Sequence, residues 1–356
     1  MANAKLETVL TQWQNLQPLA AIDRDRLSRR FTIDFNYNSN HIEGNTLTYG
    51  QTELLLLFGK IVGEANFRDC EEMKASNVGL QMMLVESSDK QLPLTQNFIR
   101  TLHRTLLRED YTVYRMLPGG VQTSYVIHAG QYKTRPNSVI TRYGDRFEYA
   151  SPEETPALMA DLVDWYNHAE QEGKLSPIDL AILFHYRYIR IHPFEDGNGR
   201  IARLMVNYIL SRHGYPMIVV RSRLKQDYLE ALHRADLIVG STPADGAHAS
   251  LKDIRPFHKY MVNLICHEIE NDVLFVTEKS QDVWWYDGER IAFRTPSYEK
   301  ILQALRREPK ATLAYLQEEI GINRSALQKL LQTLLDKHYV ERDADGSWRV
   351  FITPSM

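Results

Sequence analysis

The sequence predicts a mainly α-helical protein with a β-hairpin region near its middle and a small α/β unit at its C-terminus. Three observations carry this. Apolar residues recur at helical spacing over most of the chain. β-Branched and aromatic residues cut by Gly, Pro and Asn concentrate in 119–149. The last segment orders three helices before two short strands. At 356 residues and 41.3 kDa the chain suits about two or three domains. Its 44% hydrophobic and 24% charged residues exclude long disorder, a collagen repeat and a coiled-coil rod. A formal charge of −3 gives no general reason to expect a nucleic-acid or membrane-surface binder. Cys70 and Cys266 lie too far apart in sequence for a CxxC clamp, and two cysteines make no disulfide framework. No apolar run is longer than that from Leu54 to Phe58, which is far too short to span a bilayer as a helix. The opening MANAKLETVLTQWQNL has no apolar signal core, so a soluble cytoplasmic protein with no membrane partner is expected.

The elements follow in order. Residues 23–38 are helical in composition, and the small and amide residues of 36–45 (NYNSNHIEGN) are expected to break that helix. Helices are predicted at 51–62, 71–87 and, opened by Pro93 and Thr95, up to 109. The β-rich stretch 119–149 reads as a hairpin or a pair of exposed loops. Ser151-Pro152-Glu153-Glu154 starts an amphipathic helix to about 170, and Ser176-Pro177 opens helices that continue to about 269. Residues 271–294 read as a connector. Helices at 298–307, 312–320 and 323–338, then two strands meeting at Asp345-Gly346, give the order of a winged helix-turn-helix.

Chemistry concentrates in 192–203, HPFEDGNGRIAR. Upstream, Ile178, Ala181, Ile182, His185 and Ile189 share a helical face; downstream, Ile201, Leu204, Met205, Tyr208 and Ile209 do the same. The segment is therefore a tight loop between two buried helices, with Arg200, Arg203 and Asn207 expected opposite the apolar stripe of the second. Gly197, Asn198 and Gly199 open that second helix, where outward backbone N–H groups make an anion site. Two arginines beside it match a polyphosphate. Asp196 makes sense in such a cationic site if a Mg²⁺ ion bridges it to phosphates. His192 ends the first helix with a side chain able to accept a proton near neutral pH.

Competing motifs fail. Residues 197–202 formally match GxGxxA, but the preceding segment has helical period and no βαβ alternation surrounds it. Gly59-Lys60 lacks the rest of a phosphate-binding P-loop, and the sequence from His267 lacks the second His of HExxH.

HPFEDGNGRIAR resembles the Fic-family signature H-x-F-x-[D/E]-G-N-G-R-x-x-R at every fixed position. Gly130-Gln131-Tyr132-Lys133 is similar to the family's flap, 158–167 (LMADLVDWYN) to the helix after it, and 227–232 to its nucleotide-side helix, with Asp227 where a second Tyr is common. The resemblance covers roughly 30–235. It implies a Fic-type helical core with a β-hairpin flap, and a protein adenylyltransferase moving AMP from ATP, with Mg²⁺, to a Ser, Thr or Tyr hydroxyl of a target docked on the 119–149 flap, and of the chain itself. On this resemblance His192 is the general base, and Asp196 holds the metal. Gly197, Asn198 and Gly199 cradle the diphosphate, and Arg200 and Arg203 hold the β/γ end. Ile201 and Ala202 complete the nucleotide-binding segment, Phe194 anchors the loop and Tyr228 lies near the adenine.

Ser39-Asn40-His41-Ile42-Glu43-Gly44 resembles the family's inhibitory motif, [S/T]-x-x-x-E-[G/N]. A carboxylate beside Arg203 would neutralise the charge meant for the γ-phosphate and occupy its space, which makes Glu43 a brake. In some relatives the same Glu assists removal of AMP.

Residues 296–356 hold nine basic and eight acidic side chains, a weak field for binding DNA phosphates. Protein docking or homodimer formation is the expected role of this segment, and DNA binding is the alternative. The expected organisation is an N-terminal helical region 1–110 with the inhibitory motif 39–44, a Fic catalytic core 111–270, a connector 271–295 and a winged helix 296–356. A nucleotide-sensing, DNA-binding regulator with a Fic-like domain is the contrasting function; an intact His192 favours the enzyme.

Overall fold

A computed structural model describes residues 2–61, 63–116, 122–140, 146–278, 283–292, 296–308, 310–337 and 339–350. The chain is mainly helical, as expected. It opens with α1 (Ala2–Asn15) and α2 (Ala21–Ile42). The latter runs straight through the amide-rich segment predicted to end it. Amides usually compete with helix by bonding the backbone locally. Here they bond it within the helix instead: the side-chain N–H groups of Asn36, Asn38 and Asn40 donate to the carbonyls of Thr32, Asp34 and Asn36. All three are buried.

α3 (Tyr49–Phe58) is fixed at its start by a reciprocal Thr48–Gln51 capping box and at its end by left-handed Gly59. α4 (Phe67–Ser88) and α5 (Gln96–Leu107) follow, the latter capped by Thr95. Next come antiparallel β1 (Tyr111–Met116) with β2 (Gln122–Ile127), and β3 (Ser138–Ile140) with β4 (Arg146–Glu148). The β region thus starts before the expected 119, and 119–121 and 141–145 of the predicted flap lie outside the described residues. α6 (Thr155–Glu172) begins after a turn in which Ser151 and Glu154 exchange hydrogen bonds. α7 (Pro177–Ile191) and α8 (Asn198–Arg212) flank the motif loop as predicted. α9 (Lys225–Val239), α10 (Pro243–Ala247) and α11 (Arg255–Thr277) complete the helical series. The expected connector contains the end of α11 and a hairpin, β5 (Val283–Tyr286) with β6 (Glu289–Ala292). α12 (Pro296–Arg307), α13 (Leu313–Ile320), α14 (Arg324–Asp336), β7 (Val340–Arg342) and β8 (Trp348–Val350) form the winged helix.

Two compact units result. The first comprises 1–11, 75–220 and 224–269, with α7 and α8 buried on nearly every side at its centre. The second is assembled from 12–74, 221–223 and 270–356. In it, buried charges brace α2. Asp34 accepts from Arg221 at 2.8 Å and from the Tyr49 hydroxyl at 2.5 Å, and Arg30 pairs with Asp272 at 3.0 Å. Asp287, at the β5–β6 turn, accepts from Asn38 at 2.6 Å and Arg221 at 3.1 Å. The winged helix has its own apolar core around Ile301, Leu305, Leu316, Leu327, Leu331 and Trp348. Among the described residues, no helix is long and apolar enough to cross a membrane.

Candidate active site

The motif loop is built by the termini of two buried helices. Ser176 caps α7 by accepting the Asp179 N–H, with Pro177 in the first turn. The helix closes when the His192 N–H donates to the Tyr188 carbonyl at 2.9 Å. His192 itself is left-handed, with φ 51° and ψ 60°, a conformation a residue with a Cβ adopts at a cost. Pro193 follows and cannot extend the helix. Phe194, fully buried, stacks on His103 with centroids 3.7 Å apart. The Asn198 side chain grips Phe194 from both sides, accepting its N–H at 3.0 Å and donating to its carbonyl at 2.7 Å. Left-handed Gly197 (φ 77°) then turns the chain into α8.

The first bond within α8 runs from the Ile201 N–H to the Gly197 carbonyl. The N–H groups of Asn198, Gly199 and Arg200 thus occupy the first turn, where no carbonyl of the helix accepts them. A helix end of this kind is what the sequence reading expects for an anion. Asp196 sits beside it. Its Oδ1 accepts the Gly197 N–H at 2.7 Å, and its Oδ2 accepts the Tyr111 hydroxyl at 2.6 Å and faces Arg200 at 3.3 Å. Burial opposes its ionisation, but Arg200, Tyr111 and the Gly197 N–H outweigh it, so the carboxyl titrates below its usual range. Arg200 and Arg203 are both buried, and no acceptor among the described residues meets Arg200 Nε.

His192 is half-buried, and Tyr149 stacks on its ring with centroids 3.9 Å apart. Burial pushes its pKa down to about 3, and the Lys133 ammonium adds to the effect; the Ile189 carbonyl and Asp196 pull weakly the other way. These surroundings favour the uncharged imidazole. Its Nδ1 is enclosed and meets no partner in hydrogen-bonding geometry among the described residues. Lys133, buried at the root of the flap, donates from Nζ to the carbonyls of His192 at 2.9 Å and Ile191 at 3.2 Å, and to Asn137 at 2.8 Å. Its backbone N–H donates to the Pro193 carbonyl. Burial lowers the Lys133 pKa to about 7.

A cluster of three or more metal-binding side chains is absent among the described residues. A single ionised carboxylate beside an anion-receiving helix end suits Mg²⁺, which takes one or two carboxylates and fills its shell with phosphate oxygens and water. Asp196 fits that ion.

The remaining expected residues are placed as follows. Ile201 and Ala202 are fully buried, and the Ile201 N–H is spent inside the helix, so their side chains face the core. Asn207 is not on an open face: its amide holds the Ile218 backbone, accepting at 2.7 Å and donating at 2.9 Å. Tyr228 is buried against Phe257 and Tyr260 with its hydroxyl 2.8 Å from His185 Nε2, which places it in the core behind the loop. Arg203 lies close enough to His185 to help burial depress that imidazole to about 3. Glu43 caps the C-terminal end of α2, in the second unit.

The sequence profile of the Fic/DOC family matches residues 93–210, and that of the IclR helix-turn-helix domain matches 300–344. A Fic domain-containing signalling protein from Bacteroides thetaiotaomicron is 52% identical in its crystal structure. The match covers 78% of this chain and 98% of that one, with a TM-score of 0.72. The chain belongs to the Fic/DOC family. Two curated relatives are named protein adenylyltransferase fic-1. The Caenorhabditis elegans protein is 29% identical over 251 residues and the Caenorhabditis briggsae protein 28% over 236. These alignments cover 70% and 66% of this Fic chain but only 42% and 40% of the relatives, so it spans less than half the length of each.

Within this Fic site, sequence reasoning missed His103, Tyr111, Asn137 and Tyr149, and read Lys133 only as part of the flap. Only His103 leaves a signal, as a polar residue on the apolar stripe of Phe98, Ile99, Leu102 and Leu106 in α5.

Proposed function

We propose that this chain is an adenylyltransferase that moves AMP from ATP to a Ser, Thr or Tyr hydroxyl of a protein, itself included. One observation carries the reading: His192, where burial favours the uncharged imidazole, shares one short loop with Asp196 and the first turn of α8. His192 takes the proton of the incoming hydroxyl, whose oxygen bonds to the α-phosphorus. The bond from that phosphorus to the bridging oxygen breaks, and diphosphate leaves with the electron pair. The first-turn N–H groups of α8, Arg200 and Arg203 receive the negative charge of the phosphates. Mg²⁺, held by Asp196, supplies further charge neutralisation when bound. The names of the relatives support the nucleotide and the reaction class.

The inhibitory motif 39–44 supports a brake at Glu43, and β2, a largely exposed strand of the flap, suits an extended target segment. The test is the intact mass of Glu43→Gly after incubation with ATP and Mg²⁺, beside Glu43→Gly/His192→Ala. A gain of AMP that needs His192 is expected. No AMP on the chain or on any protein of a cell lysate overturns the transferase. Equal transfer by wild type and Glu43→Gly overturns the brake.

The IclR helix-turn-helix match favours a second reading, a nucleotide-sensing DNA-binding regulator. It requires salt-dependent DNA binding, against which the near-neutral charge of 296–356 weighs.

A further inference from the structure

The reaction above makes no use of the histidine on α5. His103 is fully buried, and both of its ring nitrogens are committed. Nδ1 accepts the Gly130 N–H at 2.9 Å, at the root of the flap. Nε2 lies 3.0 Å from the Asp196 carbonyl, in the motif loop. A backbone N–H only donates and a carbonyl only accepts, so the proton sits on Nε2 and the tautomer is fixed by the two contacts. The ring face adds a third contact, stacked within 5° of parallel on Phe194. Both neighbouring turns are glycines at positive φ. A Cβ at Gly130 would lie 3.0 Å from the Arg100 carbonyl, and one at Gly197 would lie 3.4 Å from the His103 ring. The flap root and the Asp196-Gly197 turn thus close on opposite edges of one imidazole.

We propose that His103 is a positioning residue that couples the flap root to the motif loop, so that a target segment held on the flap sets the Asp196-Gly197 turn and the start of α8. The proposal rests on the reading of the site as an AMP transferase with a flap-bound target. His103 touches neither substrate nor the reacting atoms. It acts through Gly130 on one side and the Asp196 backbone on the other. Lys133, on the same flap segment, binds the opposite end of the loop, so a shift of the flap is felt at both ends.

Two near-isosteric substitutions separate the two bonds. His103→Asn keeps an acceptor where Nδ1 stands and loses the donor to Asp196. His103→Gln keeps a donor where Nε2 stands and loses the acceptor for Gly130. Hydrogen exchange of the full chain is read at 128–133 and 192–200, and AMP incorporation is measured in the Glu43→Gly background. Coupling predicts that each variant, including the one that spares a segment's own bond, loosens both segments severalfold. It also predicts that each slows AMP incorporation about 100-fold, the scale of a small misplacement of catalytic groups. Exchange that rises only on the side whose bond was cut overturns the proposal, as does AMP incorporation at the parent rate. Exchange needs no turnover, so the coupling is judged even if Glu43→Gly transfers nothing, which counts against the transferase alone. If one amide variant fails to fold, the other decides alone: loosening of the segment whose bond it spares supports coupling, and exchange that rises only where its bond was cut overturns it.

Discussion

In the proposed reaction His192 is the base, and its readiness comes from what surrounds it. Its αL backbone turns the ring out of α7, Tyr149 covers one face, and burial beside Lys133 favours the uncharged imidazole. A group whose pKa is depressed to about 3 stays deprotonated until the pH falls through that value. With Glu43→Gly as the parent, kcat/KM is therefore expected to stay level well below the ordinary imidazole pKa of about 6.5. An acid limb centred near 6.5 would contradict a buried base. Loss of the base in His192→Ala is expected to cost about 10²–10⁴ in rate. The candidate residues stand out in the sequence because one loop holds them: 192–203 carries the proposed base, a carboxylate, a glycine turn and two arginines in a single short run. Tyr111, Lys133 and Tyr149 reach the loop from the flap strands and the turns beside them. No periodicity announces such a contact, because it depends on how separate elements fold together.

The helices show why polar residues in a buried element mislead. Asn207 was expected beside the arginines, on a face turned from the core, yet α8 is enclosed nearly all round. A buried amide is stable only with its hydrogen bonds made, and Asn207 makes them to both polar groups of the Ile218 backbone. Asn207→Ala strands a buried N–H and a buried carbonyl at a residue only 2% exposed. At roughly 1–3 kcal/mol for each unsatisfied group, the variant is expected to lose about 2–6 kcal/mol in a denaturant titration. A loss under about 0.5 kcal/mol would show that this pin is dispensable. The amides of α2 follow the same logic. Their sequence suggests a break, and burial makes them hydrogen-bond within the helix. By contrast, the capped starts of α3, α5, α7, α13 and α14 were close to where the sequence puts them, because a cap is a local signal.

At the scale of the chain, the winged helix belongs to a unit gathered from three stretches of sequence. The stretch read as a connector held a missed hairpin signal: Asp287-Gly288 between VWWY and ERIA, with φ 44° and 78° as a type I′ turn requires. That turn brings Asp287 to Asn38, Arg221 and Arg223, contacts that distant residues make and a linear reading does not show. The winged helix joins the same unit through Arg306 of α12, which pairs with Glu53 at 2.5 Å and lies over the Tyr49 ring. Gly50 permits this approach, since a Cβ there would sit 2.4 Å from the Arg306 carbonyl, closer than real side chains come. Because the obstacle is backbone, α12 must move to admit any side chain. Gly50→Val is therefore expected to cost about 1–3 kcal/mol, as overpacking does, and to increase proteolysis within both 49–58 and 296–307. A merely tethered winged helix would swing aside and leave stability unchanged. Glu53→Gln, which removes the ion pair without adding bulk, separates the two terms. If packing rather than charge holds α12 on α3, it costs much less than Gly50→Val, because a partly exposed ion pair contributes only about 1 kcal/mol or less.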